Sequence, residues 1–193
     1  MTTSSYVDAS TASTSALAYV NPSTNRAIIK VDNTTRVPFN EKRNTVRITT
    51  KDRYDIGSVW VADMYHVPYG CSVWPAFWSH APDWPKGGEI DTFEGVNKVT
   101  RNQMALHTTA GCSLKQDTTS LTQTSPLINS TNCDSAVNGN MGCVVTDPNT
   151  QSYGEVFANS GGGVFVTELA EEGISYVSRL HPCVSHCSRV MIR

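Results

Sequence analysis

The segment KGGEIDTFEGVN, residues 86–97, carries three carboxylates, Glu89, Asp91 and Glu94, directly behind a Gly-Gly pair. In a β-strand, residues i and i+2 share a face, so Glu89 and Asp91 point the same way. Glu94 lies at an odd offset from both, and an ideal strand would turn it to the opposite face. One extra residue at position 92 or 93, a β-bulge, would return Glu94 to the shared face. The alternative for the bare pattern is a solvated acidic strand.

The rest of the chain reads as short β-rich runs separated by turn residues, and no segment reads as a long amphipathic helix. The runs are residues 26–31, 45–49, 57–64, 72–78, 89–93, 102–108 and 162–169. This spacing predicts an all-β fold, an antiparallel β-sandwich or jelly roll, whose concave face suits an extended ligand. Residues 113–153 are rich in Ser, Thr, Asn and Pro, which predicts long loops.

The run NQMALHT, residues 102–108, alternates between an apolar and a polar face. Met104 and Leu106 point one way, and Gln103 and His107 point the other. If this strand pairs with the Glu89 strand, Gln103 and His107 join the carboxylate face. A surface strand that happens to carry a histidine is the alternative.

All four tryptophans precede the carboxylates, at positions 60, 74, 78 and 84. Trp60 stands in an apolar alternation and is expected to fill the core. Trp74 and Trp78 share a strand face, and Trp84 lies just before the Gly-Gly pair. Flat aromatic rings beside a row of carboxylates suit the apolar faces of sugars, and an indole N–H can bond a hydroxyl. We therefore predict that Trp74, Trp78 and Trp84 bind substrate together with Gln103 and His107.

Composition fits one soluble globular domain and excludes several other classes of protein. The chain has 193 residues, 39% of them hydrophobic, and a formal net charge of −2. It has neither a basic patch for nucleic acid nor an apolar run that could span a membrane. Six cysteines, four of them in polar, loop-like surroundings, and two Asn-X-Ser/Thr sequons favour an extracellular protein with disulfides, although no secretion signal is visible. Cys71, Cys112, Cys133 and Cys143 allow three pairings, which the sequence leaves open.

The carboxylate pattern suits glycoside hydrolysis with retention of configuration. That reaction needs a carboxylate nucleophile and a carboxylic acid whose groups lie about 5–5.5 Å apart. Two like charges at 5 Å and an effective dielectric of about 20 repel by roughly 3 kcal/mol, which corresponds to about two pKa units. One of Glu89 and Glu94 would therefore stay protonated near neutral pH. Asp91, between them, can orient the nucleophile and favour a proton on the neighbouring acid.

Three segments, WPAFW, WPKGGEIDTFEGVN and NQMALHTTAGC, resemble the fungal laminarinase-like endo-β-1,3(4)-glucanases of glycoside hydrolase family 16. The resemblance runs from about residue 18 to about residue 174 and includes the late QSYGEVFANSGGGVF. It implies a β-jelly roll with a concave glucan-binding cleft, with Glu89 as nucleophile, Asp91 as assisting carboxylate and Glu94 as general acid/base. It implies no cofactor or metal. The expected partner is a β-glucan polysaccharide, without nucleic acid or membrane, and the expected state is a monomer.

Two alternatives stay open beside hydrolysis: a glycan-binding remnant with weak catalysis, and a related transglycosylase. The resemblance leaves residues 1–17 as a polar segment expected to be poorly ordered and residues 175–193 as a divergent tail. The domain at residues 18–174 would then lack strands at both ends, and we expect a poor enzyme. In the tail, His181, Cys183, His186 and Cys187 have spacing too irregular for a zinc site, so no metal site is predicted.

Overall fold

A computed structural model describes residues 4–114, 128–181 and 188–192 as thirteen strands and two short helices. The strands are β1 (Ser4–Tyr6), β2 (Ala18–Asn21), β3 (Arg26–Ile29), β4 (Arg43–Thr45), β5 (Ser58–Met64), β6 (Ala76–His80), β7 (Glu89–Glu94), β8 (Gln103–His107), β9 (Ile128–Ser130), β10 (Cys143–Thr146), β11 (Gly163–Ala170), β12 (Gly173–Leu180) and β13 (Ser188–Ile192). The helices are α1 (Ala9–Thr14) and α2 (Gly154–Asn159). Neither of these described helices has the length or apolarity to cross a membrane.

The chain divides into two compact units, of which the first comprises residues 1–53 and 70–73. In this unit β1 pairs with β4 in parallel and β2 pairs with β3 antiparallel. The Asp8 side chain caps α1 by accepting a hydrogen bond from the Thr11 N–H at 2.7 Å. Ala12 and Leu17 are buried. Within the segment whose polar composition predicted poor order, residues 4–6 form β1 and residues 9–14 form the capped helix α1.

The second unit, residues 54–69 and 74–193, contains two antiparallel sheets. Five strands form one sheet in the order β6-β7-β8-β10-β9, and four form the other in the order β13-β12-β11-β5. Apolar side chains from both sheets meet between them. Met104 of β8 and Val145 of β10 share a core cluster with Tyr176 of β12, while Phe93 of β7 contacts Phe165 of β11 edge to face at 4.7 Å. The expected antiparallel β-sandwich is thus confirmed.

The structure adds detail to the sequence-based expectation at a buried strand, at the cysteines and at Trp60. Within the expected loops of residues 113–153, β10 is a fully buried strand between β8 and β9, because its CVVT sequence packs into the core. Cys133 and Cys143 form a disulfide, while Cys71 and Cys112 are exposed thiols. Trp60 is half-buried on the inward face of β5 rather than fully enclosed.

Residues 175–193 were expected to diverge from the fold, yet most of their described part is strand. β12 pairs with β11 along its whole length, from Gly173 opposite Ala170 to Leu180 opposite Gly163, and β13 pairs with β12. His181 Nε2 lies 3.3 Å from Asp63 Oδ1. The other three residues of the rejected zinc pattern, Cys183, His186 and Cys187, lie outside the described residues.

Candidate active site

Strand β7, between β6 and β8, contains the bulge that the carboxylate spacing requires. Asp91 pairs with Ala105 of β8 and Glu94 pairs with Gln103, so two residues of β7 face only one residue of β8. On its other side, Asp91 pairs with Trp78 of β6 and Phe93 pairs with Phe77, which leaves Thr92 as the extra residue. The shift restores the even period. Glu89, Asp91 and Glu94 therefore lie on one face of the sheet.

The interior of the sandwich explains why the strand bulges at this point. Thr92 and Phe93 are consecutive, yet both are buried. The Thr92 hydroxyl hydrogen-bonds the Thr167 hydroxyl of the opposite sheet, and the Phe93 ring stacks on Tyr153 with centroids 4.5 Å apart. A regular strand would turn one of these two side chains outward. Burying both requires the irregularity that brings Glu94 back to the face of Glu89.

Strand β8 adds its polar side chains to the carboxylate face, as its alternation predicted. Gln103 lies opposite Glu94, and His107 lies opposite Glu89. His107 is only 7% exposed, and its Nε2 lies 3.2 Å from Asp91 Oδ2. Asp91 Oδ2 makes no hydrogen bond of regular geometry among the described residues, and the approach of His107 Nε2 is a polar contact of that atom. The burial and pairing of His107 favour a role in holding Asp91 over direct contact with a large ligand.

The tryptophans reach the carboxylates directly, a role that their sequence positions alone did not reveal. Trp74 donates its indole N–H to Glu94 Oε1 at 2.7 Å, and Trp84 donates to Glu89 Oε2. Both rings are substantially exposed. Trp78 lies opposite Asp91 in register and stacks on His80 with centroids 5.0 Å apart. All three predicted platform residues thus lie at the carboxylate face.

The Gly-Gly pair shapes the turn that delivers Trp84 to Glu89. Residues 81–88 connect β6 to β7 and close with a hydrogen bond from the Ala81 N–H to the Gly88 carbonyl at 3.0 Å. A Cβ on Gly87 would overlap the Cβ of Ala81, and Gly88 has a φ of 86°, which favours glycine. The two glycines let the turn fold tightly enough for the indole to meet a carboxylate five positions later.

Burial and the charge of Asp91 raise the pKa values of both glutamates. Burial is the larger cause and the Asp91 charge the next, and together they raise the pKa of Glu94 to about 7. The same two causes, in the same order, raise the pKa of Glu89. The contact with Asp91 raises the pKa of His107, against the opposing effect of burial. A carboxylic acid that titrates near neutral pH is suited to donate a proton at that pH.

Removing the Glu94 charge is expected to stabilise the fold at alkaline pH. Because its folded pKa of about 7 exceeds the ordinary 4.5, the unfolded chain loses this proton first, and stability falls as pH rises between those values. Glu94→Gln removes that loss, so its free energy of unfolding should exceed that of the wild type by about 1–3 kcal/mol at pH 8. Urea melts at pH 8 and pH 4 measure the difference, which should vanish at pH 4. An equal difference at both values would contradict the raised pKa.

Removing each indole N–H while keeping an aromatic ring should shift one limb of a pH–activity profile. The hydrogen bonds from Trp74 and Trp84 lower the pKa values of Glu94 and Glu89, respectively. Trp74→Phe should therefore move the alkaline limb, and Trp84→Phe the acid limb, upward by about 0.5–1 pH unit. Trp60→Phe, on the other sheet, is the matched control and should move neither limb. Identical profiles for all three variants would show that the indole hydrogen bonds do not tune the carboxylates.

Sequence reasoning missed three residues near the site. His80 lies opposite Glu89 in register, and its position two residues after Trp78 was the available signal. Asn102 and Tyr153 hydrogen-bond the backbone at Thr92, Glu94 and Gly95 from behind the strand. No local pattern marks these two residues, because their partners lie on other elements.

The same cluster includes atoms of the kind that bind metal ions. Glu89, Asp91 and His107 each present one such atom, and these lie within 4.8 Å of one another. The His107 nitrogens already contact Asp91 and the Asn140 side chain, the latter at 3.2 Å, so protein groups engage both of them.

Comparison with known proteins turns this geometry into a family assignment. The family described as XgeA-like, catalytic GH16 domain matches residues 3–178. This chain belongs to glycoside hydrolase family 16. The family prediction from the three motifs is confirmed, and the match is wider than residues 18–174, because it includes most of β12 and the N-terminal elements.

Named relatives and solved structures agree with this family. An endo-1,3(4)-beta-glucanase of Arthroderma benhamiae is 42% identical over 146 residues, which cover 72% of this chain and 30% of that protein. GH16 laminarinase 16A from Phanerochaete chrysosporium, solved with β-glucans in both donor and acceptor sites, superposes with a TM-score of 0.84 at 37% identity, covering 93% of this chain and 58% of that one. An elongating family 16 β-1,3-glucosyltransferase superposes at 0.82 and 33% identity, covering 94% and 59%.

These matches establish the jelly-roll β-sandwich of the family 16 laminarinases. The chain spans less than half the length of the curated relatives and about three-fifths of the solved structures. The comparisons therefore establish the fold and the family, while the reaction of this chain is a proposal that rests on its own site.

Proposed function

We propose that this chain is a retaining endo-β-1,3(4)-glucanase in which Glu89 is the nucleophile and Glu94 the general acid/base. The observation that carries the proposal is the bulge, which sets both glutamates on one face with Asp91, where burial and the Asp91 charge raise the pKa of Glu94 to about 7. The β-glucans bound to laminarinase 16A and the endo-glucanase relatives support the substrate class.

In the first step, Glu89 attacks the anomeric carbon while Glu94 protonates the glycosidic oxygen. The bond from the anomeric carbon to that oxygen breaks, the leaving sugar takes the proton, and Glu89 becomes a neutral glycosyl ester. The Trp84 N–H fixes the attacking carboxylate, and the Trp74 N–H fixes the acid. Both bonds are in place before a substrate arrives, so the reacting groups need no reorganisation.

The second step reuses Glu94 as a base. Once Glu89 is an ester, its negative charge is gone, and its contribution to the raised pKa of Glu94 disappears. Glu94, now a carboxylate, removes a proton from water, and the water oxygen attacks the anomeric carbon from the side opposite Glu89. Two inversions give net retention. Burial and the charge of Asp91 favour the protonated form of Glu94 at the start, and His107 lies 3.2 Å from Asp91.

Substrate binding is assigned to Trp74, Trp78 and Trp84, with Gln103 at the Glu94 end. The exposed rings of Trp74 and Trp84 flank the glutamates, so a sugar stacked on either ring lies beside the reacting groups. We also propose that the protein acts outside the cell as a monomer, and the Cys133–Cys143 disulfide suits an oxidising compartment.

Reducing-end release from laminarin, lichenan, xyloglucan and agarose, with the oxidised full chain, tests the proposal. We expect turnover of laminarin or lichenan only, and NMR of the first-formed product should show the β-anomer. An α-anomer would exclude retention. Tight glucan binding without turnover by any preparation would favour a glycan-binding remnant.

Transglycosylation is the second candidate, favoured by the structural match to a family 16 β-1,3-glucosyltransferase. It shares the first step and differs in the acceptor, since a sugar hydroxyl replaces water. Incubation with a short laminari-oligosaccharide separates the two, because a transferase yields products longer than the substrate beside the shorter leaving fragment, whereas a hydrolase yields shorter products only.

A further inference from the structure

The bulge that positions Glu94 leaves backbone groups without a strand partner, and one buried side chain satisfies two of them. Asn102 Nδ2 donates to the Thr92 carbonyl at 3.0 Å, and Asn102 Oδ1 accepts from the Glu94 N–H at 2.9 Å. Asn102 is 0% exposed. A primary amide offers a donor and an acceptor on two separate atoms, and Asn102 uses one for each of these backbone groups. The two bonds hold the backbone on both sides of Phe93.

Asn102 is itself held from the segment at residues 147–153. Its N–H donates to the Ser152 hydroxyl at 2.9 Å, and its carbonyl accepts from the Asp147 N–H at 2.9 Å. Both polar groups of the Asn102 backbone therefore have fixed partners, which hold in place the backbone that carries the side-chain amide.

The same segment ends in Tyr153, which reaches the other side of Glu94. The Tyr153 hydroxyl lies 2.9 Å from both the Gly95 and the Pro75 carbonyl, to either of which it donates. Gly95 follows Glu94, and Pro75 follows Trp74. One hydroxyl therefore contacts both backbone segments that carry the partners of the Trp74–Glu94 hydrogen bond. A Cβ on Gly95 would lie 2.7 Å from the Tyr153 ring, so this close approach needs glycine. Burial raises the pKa of Tyr153 well above its ordinary value and keeps the hydroxyl a donor.

We propose that Asn102 and Tyr153 are positioning residues that set the general acid/base Glu94 through its backbone, from the side of the sheet opposite the substrate. The inference rests on the proposed function. It predicts a selective defect, because Glu89 lies before the bulge and is held separately by the Trp84 indole and by its register with His80 and His107. Loss of either residue should weaken proton donation and spare nucleophilic attack.

A pair of substrates separates these two effects in the full chain. A laminari-oligosaccharide has a poor leaving group that needs a proton, whereas 2,4-dinitrophenyl β-laminaribioside has one that does not. For both, kcat/KM reports the step that forms the glycosyl-enzyme. Asn102→Ala and Tyr153→Phe should lower kcat/KM for the oligosaccharide by about 10- to 100-fold, mainly through kcat, and change the dinitrophenyl value less than about twofold.

Leu114→Ala, which truncates a buried core residue outside β6, β7 and β8, is the matched control. This variant should lower kcat/KM for both substrates by the same factor, because it reduces only the fraction of the protein that is folded. If Asn102→Ala or Tyr153→Phe lowers kcat/KM for both substrates by the same factor, or changes neither value, the positioning role is wrong. Tyr153→Phe removes one hydroxyl only, so it serves if Asn102→Ala does not fold.

A second readout is independent of turnover and separates this inference from the proposed function. Carbon-13 NMR of glutamate-labelled chain follows the Glu94 carboxyl, which should titrate at a different pH in each variant than in the wild type. An unchanged Glu94 titration would overturn the positioning role even in an inactive protein. A wild-type chain that turns over neither substrate, with variants whose Glu94 titration is shifted, would overturn the proposed function alone.

Discussion

Glu89→Gln and Glu94→Gln are each expected to abolish glucan hydrolysis, with kcat reduced by about 10³-fold or more. Glutamine has nearly the shape of glutamate and can still accept the indole hydrogen bonds of Trp84 and Trp74, but it can neither form the ester nor exchange the proton. The loss therefore reports the chemistry rather than the fold. Reducing-end assays on laminarin, with circular dichroism to confirm folding, measure it.

Azide distinguishes the two roles in smaller variants of the same positions. In Glu89→Gly, azide can occupy the space of the nucleophile and attack directly, which gives the inverted α-glycosyl azide. In Glu94→Ala, with a dinitrophenyl glycoside that needs no acid, azide attacks the glycosyl-enzyme and gives the retained β-product. Exchanged products would reverse the assignment of the two glutamates, and wild-type activity in either glutamine variant would remove that residue from the mechanism.

Phe93→Ala is expected to lower the free energy of unfolding by about 3–5 kcal/mol, a large share of the total stability of a domain. The Phe93 ring is 1% exposed and contacts Tyr153, Phe157 and Phe165 at centroid distances of 4.5, 5.7 and 4.7 Å. Its truncation opens a cavity between the sheets and removes one of the two buried side chains that favour the bulge. Urea melts of the full chain provide the measurement.

Phe77→Ala is the control, since Phe77 pairs with Phe93 across the strands but is 37% exposed. Phe77→Ala should lower the free energy of unfolding by about 1 kcal/mol, because it removes less buried apolar surface than Phe93→Ala does. Equal losses for both variants would show that the aromatic cluster around Phe93 does not anchor the bulged strand. Phe93→Leu, a milder change, should retain folding and lose activity more than stability if the bulge depends on the ring.

The family and the carboxylate trio follow from sequence because both rest on local relations. The period of two in a strand places Glu89 and Asp91 together, and the odd offset of Glu94 implies an extra residue between Asp91 and Glu94. The same period puts Gln103 and His107 on one face of their strand. The nearby tryptophans then favoured a sugar substrate.

Other features do not follow from local pattern. Residues 4–17 form structure through a single helix cap at Asp8 and the burial of Leu17, which their polar composition conceals. The buried strand β10 lies within a region whose polar composition predicted loops, and most of β12 lies within the expected tail. In each case, pairing with a distant strand determined the structure more than local propensity did.

The sequence by itself determined that three carboxylates share one strand face and that the chain belongs with the laminarinase-like glycosidases. Only the tertiary structure decided that Thr92 is the extra residue, that Trp74 and Trp84 bond the glutamates, and that Asn102 and Tyr153 hold Glu94. Side-chain direction along a strand is a local property of the backbone. Hydrogen-bond partners and the burial that raises the pKa of Glu94 depend on which distant segments pack against that strand, and no local period encodes them.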